Sequence, residues 1–161
     1  MERIRRLEIL VRAELPTRFH WSCFWLLARG GQLAGALASY APARLLKSRA
    51  LDMLAGSESS SAFRRVLAET TPVFRSDSWT IDHLAWRPGR CDASLVRALI
   101  DSAVDEGRQA GCREACIEIP DGASETRRLI AGSGFAPDAS LTCGHPGEEY
   151  RTIERFIRPL Q

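Results

Sequence analysis

Lysine is almost missing from this chain. Lys47 is the only one among 22 Lys and Arg, and the arginines are spread along the sequence, a usage that fits a GC-rich bacterial genome. Charge of one sign is also missing: 22 basic against 20 acidic residues leave +2, too little to point to nucleic acid or an anionic membrane. No apolar run reaches the ~18 residues of a membrane span, and Met1 to Arg6 lack the apolar stretch of a secretory signal. A cytoplasmic protein with no membrane partner is therefore expected. The cysteines, Cys23, Cys91, Cys112, Cys116 and Cys143, are odd in number and contain no CxxC pair, which argues against a disulfide framework and against a four-ligand zinc site. They read as buried thiols. Cys112 and Cys116 would need two further ligands from a chain that has only His20, His83 and His145, so no metal is expected.

What is present fits one ordinary domain over residues 1–161: 45% of the chain is hydrophobic and 26% charged. A domain this long hides roughly 70% of its unfolded surface and needs no staple. Ile4, Leu7, Leu10 or Val11, and Leu15 fall at near-helical spacing ahead of Pro16, giving an N-terminal helix within residues 1–20, with a strand as the alternative. Ser22–Ala28 and Leu33–Tyr40 read as strands around Arg29-Gly30-Gly31-Gln32, where the glycines suit a tight hairpin. Two short helices follow over Ala43–Leu54 and Ser61–Thr70. The second half reads as a strand over Trp79–Trp86, a helix over Ser94–Ala110, a strand over Ala115–Ile119 and a helix over Ser124–Ala131. Strands near Ser140–Cys143 and Tyr150–Ile157 complete it. A strand–helix–strand unit beside hairpins requires a mixed sheet. The expected class is α/β (α+β), a mostly antiparallel sheet with a central parallel strand pair and helices on both faces.

That order of elements, with Gln32-Leu33-Ala34-Gly35 in the first hairpin, resembles the GNAT superfamily of acyl-CoA-dependent N-acyltransferases. Leu84-Ala85-Trp86-Arg87-Pro88 stands where that family has a strand ending in an apolar-apolar-x-Pro signature, followed by a pyrophosphate loop and a helix, here Leu95 to Ile100. Gly132-Ser133-Gly134-Phe135 matches the family's Gly-Phe after the next helix. The resemblance runs from about Trp21 to the C-terminus. Ahead of the hairpin the family carries a strand and two helices, more than the residues here can hold, so the acceptor wall is either shortened or completed by a second copy of the chain in a homodimer.

The resemblance implies acetyl-CoA as co-substrate, with its pantetheine lying between two splayed parallel strands against Leu84, Ala85 and Trp86. It also implies a pyrophosphate at the amides of a helix N-terminus. The loop that should hold it is Arg90-Cys91-Asp92-Ala93-Ser94-Leu95-Val96, and the family's Arg-Gly-x-Gly-x-Gly falls on Cys91, Asp92, Ser94 and Val96. Every diagnostic residue is replaced. Asp92 would bring a carboxylate toward phosphates, and it is also a good helix cap. Arg87, Arg90 and Arg97 offer side-chain binding in place of amides, or plain solvated surface. Ala123 stands where the family often has asparagine. Ile130 stands where a tyrosine commonly protonates the leaving thiolate, leaving Tyr150, Cys143 or water to substitute.

For the base, a period of two along Trp79–Trp86 puts Thr80, Asp82, Leu84 and Trp86 on one face, and Ile81, His83 and Ala85 on the other. Asp82 matches a position where related proteins often carry glutamate facing the acceptor amine, or it pairs with an arginine. His83 is a capable base by its titration range, but its face is expected to pack against helices. Cys143-Gly144-His145 as a nucleophilic pair, and Phe19, Trp21, Phe24 and Trp25 as a ligand pocket, carry less weight. Two functions remain open. The first is an acyl-CoA-dependent N-acyltransferase acting on a small-molecule amine by direct attack. The second is an inactive binding or oligomerisation module of the same fold. An open anion pocket at the N-terminus of the Ser94 helix favours the first; a pocket filled by Asp92 and Val96 favours the second.

Overall fold

The structure is a computed structural model, and it describes residues 18, 20–42, 77–143 and 151–160. The helices expected over residues 2–15, 43–54 and 61–70 lie outside the described residues, as does Tyr150.

A 3-10 turn, Trp21–Cys23, precedes strand β1, Phe24–Arg29, so Ser22 and Cys23 are not part of the strand. The reason is local: the His20 ring accepts the Ser22 amide and curls the chain before it can extend. Gly30 and Gly31, at φ 59° and 73°, make the hairpin turn into β2, Gln32–Tyr40. Two consecutive left-handed residues match the twist of the flanking strands, and only glycine adopts them without strain. Next come β3, Ser78–Trp86, and helix α1, Ala93–Gln109. Strand β4, Glu114–Pro120, and helix α2, Ser124–Gly132, follow, then β5, Ala136–Cys143, and β6, Arg151–Pro159. Strand β5 begins four residues before its expected start near Ser140. Pro137 and Asp138 read as breakers, but Pro137 sits beside a register shift on the outermost strand, where proline is tolerated.

The six strands are ordered β1-β2-β3-β4-β6-β5. Only β3 and β4 run parallel, and the other neighbours are antiparallel. The class is thus the mixed, mostly antiparallel α/β sheet that the element order implies. Helix α1 buries Val96, Leu99, Ile100, Ala103, Val104 and Gly107, a stripe with helical spacing, against the sheet. Leu37, Ile81 and Ile117 meet that stripe from the strands, and Leu129 and Ile130 of α2 join the same core. At Gly107 the helix approaches β3 so closely that a Cβ would lie 2.6 and 2.7 Å from Trp79 Cγ and Cβ. No described helix is long and apolar enough to cross a membrane.

Candidate functional site

The parallel ladder between β3 and β4 is short. It joins Ser78 to Glu114 through Ile81 to Ile117 and stops, although β3 runs on to Trp86 and β4 to Pro120. Past Ile81 the two strands no longer pair, leaving a cleft between them. The parting begins where β3 bulges. Ala38 pairs with Asp82 while Ala36 pairs with Ala85, so two residues of β2 are matched by three of β3. His83 takes up the extra length at φ 50°, a left-handed conformation uncommon for a residue with a side chain.

The bulge overturns the expected period of two. Gly35 pairs with Trp86 and Ser39 with Ile81, placing Ile81 and Trp86 on the α1 side, where Leu84 also packs on the core. Asp82 shares the other side with Ala38 and Tyr40. Asp82 and Trp86 therefore lie on opposite faces, not on one. His83, expected to pack against helices, turns instead to Asp82: its amide donates to Asp82 Oδ1 at 2.8 Å, and its Nε2 lies 3.2 Å from Oδ2. The Tyr40 hydroxyl donates to the same Oδ2 at 3.2 Å. Burial, with the Asp82 charge adding to it, pushes the Tyr40 phenol far above its ordinary range, so it stays a donor. Arg18, itself buried, acts electrostatically on both Tyr40 and His83. Farther along this face lie Cys116 and the Glu118–Arg155 ion pair. Arg155 Nε and Nη2 donate to Glu118 Oε1 at 3.0 and 2.6 Å. Burial pushes the Cys116 thiol up to about 12, which leaves it protonated and unreactive.

Burial lowers the affinity of His83 for a proton below the ordinary imidazole value. Asp82 opposes the shift and Arg18 reinforces it. The folded chain then binds fewer protons than the unfolded chain in the window below about pH 6.5. The contribution is complete above that pH and is lost as pH falls toward the lowered folded value. The urea midpoint is expected to rise from pH 5 to pH 7, and the difference to shrink in His83→Asn.

The other half of the site lies on the α1 side, off the end of β3. A cavity of about 310 Å³ opens among Trp86, Cys91, Asp92, Val96, Arg97 and Arg128, with Pro88, Gly89, Ala93, Glu125 and Leu129 completing its wall. Asp92 caps α1. Its Oδ1 accepts the amides of Ser94 and Leu95, each at 3.0 Å, and the Ser94 hydroxyl at 2.5 Å. The Ser94 hydroxyl and the Leu95 amide hold the Asp92 carboxyl below its usual range. The cavity is thus open, yet the amides that would meet an anion there already bind a carboxylate. Of the loop residues singled out from sequence, Cys91, Asp92, Ala93, Val96 and Arg97 reach the cavity. Ser94 and Leu95 are spent on the cap, Ala85 is exposed on the opposite face, and Arg90 donates its amide to the Arg87 carbonyl at 3.1 Å and offers its own carbonyl to Arg29 at 3.5 Å. Arg128 and Glu125 escaped the sequence reading because α2 meets α1 only in three dimensions.

Two further expectations resolve simply. Among the described residues the aromatics near the hairpin do not converge on a pocket: Trp21 is exposed, Trp25 donates to Ser39 Oγ at 3.0 Å, and Phe24 packs with Cys23 and Tyr40, while Phe19 lies outside the described residues. Cys23, Cys91 and Cys116 are buried thiols and Cys112 is half-buried.

No protein-family model matches the chain, and no curated protein matches it in sequence. Solved structures do match its fold. An N-acetyltransferase of Staphylococcus aureus Mu50 superposes with a TM-score of 0.69 over 96% of this chain and 79% of its own, at 13% identity. A Bacillus subtilis acetyltransferase in complex with CoA gives 0.54 over 86% and 76%, at 14% identity. A candidate acetyltransferase of the GNAT family from Desulfovibrio desulfuricans gives 0.56 over 86% and 69%, at 17% identity. With its parallel pair parting inside an otherwise antiparallel sheet, the chain has the fold of the GNAT acetyltransferases.

Proposed function

We propose that the chain is an acyl-CoA-dependent N-acyltransferase that uses acetyl-CoA and acetylates a small-molecule amine. The observation that carries this reading is the ladder that stops at Ile81 and Ile117 while both strands continue. Unpaired strand edges offer backbone hydrogen bonds to an extended ligand, as an added strand would. The Bacillus subtilis neighbour was solved in complex with CoA, which supports a CoA thioester as the donor.

Acetyl-CoA supplies an activated acyl group. The chain's own residues orient it, stabilise the oxyanion with amides along the cleft, and bring the amine to the thioester from the Asp82 side. Arg97 and Arg128 meet the phosphates with side chains where the family uses amides. Asp82 is the carboxylate beside the cleft; Tyr150 lies outside the described residues, and its assignment as the acid that serves the leaving thiolate rests on the sequence alone. The cytoplasm is the compartment that fits this chemistry.

A second reading, an inactive module of the same fold, is favoured by one observation: Asp92 already holds the amides of Ser94 and Leu95. Calorimetric titration with acetyl-CoA separates the two. Saturable binding followed by thiol release with an amine upholds the transferase, and no binding by any acyl-CoA, or binding without release, upholds the module. Asp92→Asn keeps the cap, because asparagine caps helices as well as aspartate does, and removes the charge. It is expected to tighten acetyl-CoA binding on the order of 3- to 10-fold at low salt, with the gain shrinking as salt is raised. An unchanged affinity would place the phosphates elsewhere.

A further inference from the structure

The cluster at the β3 bulge contains more than a lone carboxylate. Asp82 uses both oxygens inside the protein: Oδ1 accepts the His83 amide, and Oδ2 accepts the Tyr40 hydroxyl and faces His83 Nε2. A carboxylate held this way is suited to orienting and charge-stabilising a neighbour. The neighbour is an imidazole at φ 50°, and a strained conformation of this kind is kept where the surrounding structure holds it. The bulge that costs this strain is also what parts β3 from β4 and turns His83 toward Asp82. The Nε2 that faces Asp82 is buried, and 32% of the His83 side chain is exposed, against 23% for Asp82, so the ring nitrogen left for a substrate is Nδ1.

We propose that His83 is the proton acceptor of the transfer reaction and that Asp82 and Tyr40 are positioning residues acting through it. This rests on the acyltransferase reading above. The imidazole of His83 takes one proton from the substrate ammonium, freeing the lone pair that forms the new C–N bond. The C–S bond of the thioester breaks, the departing sulfur is protonated as the amine nitrogen gives up its second proton, and His83 returns its own proton to solvent. Asp82 Oδ2 stabilises the imidazolium while it exists, and Tyr40 fixes the carboxylate. Among the described residues, the charged and titratable groups around His83 include Arg18, Tyr40 from β2 and Asp82 on its own strand. Cys116 and Glu118 of β4 lie farther along that face with Arg155 of β6. Arg18 disfavours the imidazolium, and Asp82 favours it.

The test measures thiol release from acetyl-CoA with a panel of primary amines, between about pH 5.5 and 9, alongside calorimetric binding of acetyl-CoA. His83→Asn is the variant of choice because asparagine tolerates the left-handed backbone, and His83→Gly serves as a second that relaxes it. Both are expected to bind acetyl-CoA like the wild type, to lose about 10²- to 10⁴-fold in kcat/KM, and to lose the acid limb of the pH profile. Asp82→Asn should lower kcat/KM less than the His83 variants do and move that limb to lower pH, a shift that a merely structural role would not produce. If the wild type turns over and both His83 variants keep its rate and its acid limb, the inference fails while the acyltransferase reading stands. If the wild type binds no acyl-CoA, the reading itself fails and the inference with it. Binding without thiol release for any amine overturns the inference and leaves a binding module.

Discussion

Removing the Glu118 carboxylate with Arg155 left in place is expected to cost about 1.5 to 3 kcal/mol of stability, because it takes two charge-assisted hydrogen bonds from a buried guanidinium. The side chains of Arg155 and Glu118 are only 7% and 16% exposed, and both contacts go to one oxygen. Glu118→Ala should therefore lower the urea midpoint far more than a surface substitution does. The partner test gives the claim its edge: replacing both residues together, Glu118→Leu with Arg155→Met, should recover most of the loss, since neither desolvated charge then remains. If the double variant is as unstable as the single one, the pair is not the source of the effect. Glu118 is the first residue of β4 beyond the ladder, so this ion pair also braces the β4 side of the cleft against β6.

Gly107→Ala is expected to destabilise the chain against helix propensity. Alanine in a helix interior gains about 1 kcal/mol over glycine, yet here its methyl group would lie 2.6 Å from Trp79 Cγ. Those Trp79 atoms are tied to the β3 backbone and fully buried, so α1 has to move away. Overpacking of this kind costs about 1 to 3 kcal/mol. A fall in the melting temperature, partly restored when Trp79→Leu is added, would show the two sites coupled. A Gly107→Ala variant more stable than the parent would sink the packing argument.

Local chemistry was legible in the chain wherever one residue type decides the backbone. Gly30-Gly31 announced the hairpin, Asp92 ahead of Ser94 announced the start of α1, and the apolar spacing of α1 announced its buried face. The element order was enough for the fold, which the neighbours share. The bulge was invisible, since no glycine marks it and His83 carries a side chain into a left-handed conformation. One extra residue there reverses every later assignment on β3, so the alternation read along Thr80–Trp86 put Asp82 and Trp86 together when they are apart. Tyr40 and Arg18 were missed for a different reason. Each lies 40 or more residues from Asp82 in sequence, and only the pairing of β2 with β3 shows that Tyr40 reaches it.

The short ladder also has a mechanical consequence. Among the described residues a ladder of four residue pairs joins β1-β2-β3 to β4-β6-β5, so the sheet is two three-stranded plates meeting at a narrow seam. Among the described residues, α1 packs across β1 and β2 as well as β3 and β4, bridging the seam as a strut. A guest that wedges the plates apart would flex them about the seam and load this helix, whose N-terminus forms one wall of the cavity off the end of β3. Filling the cleft and setting the tilt of α1 would then be one and the same deformation.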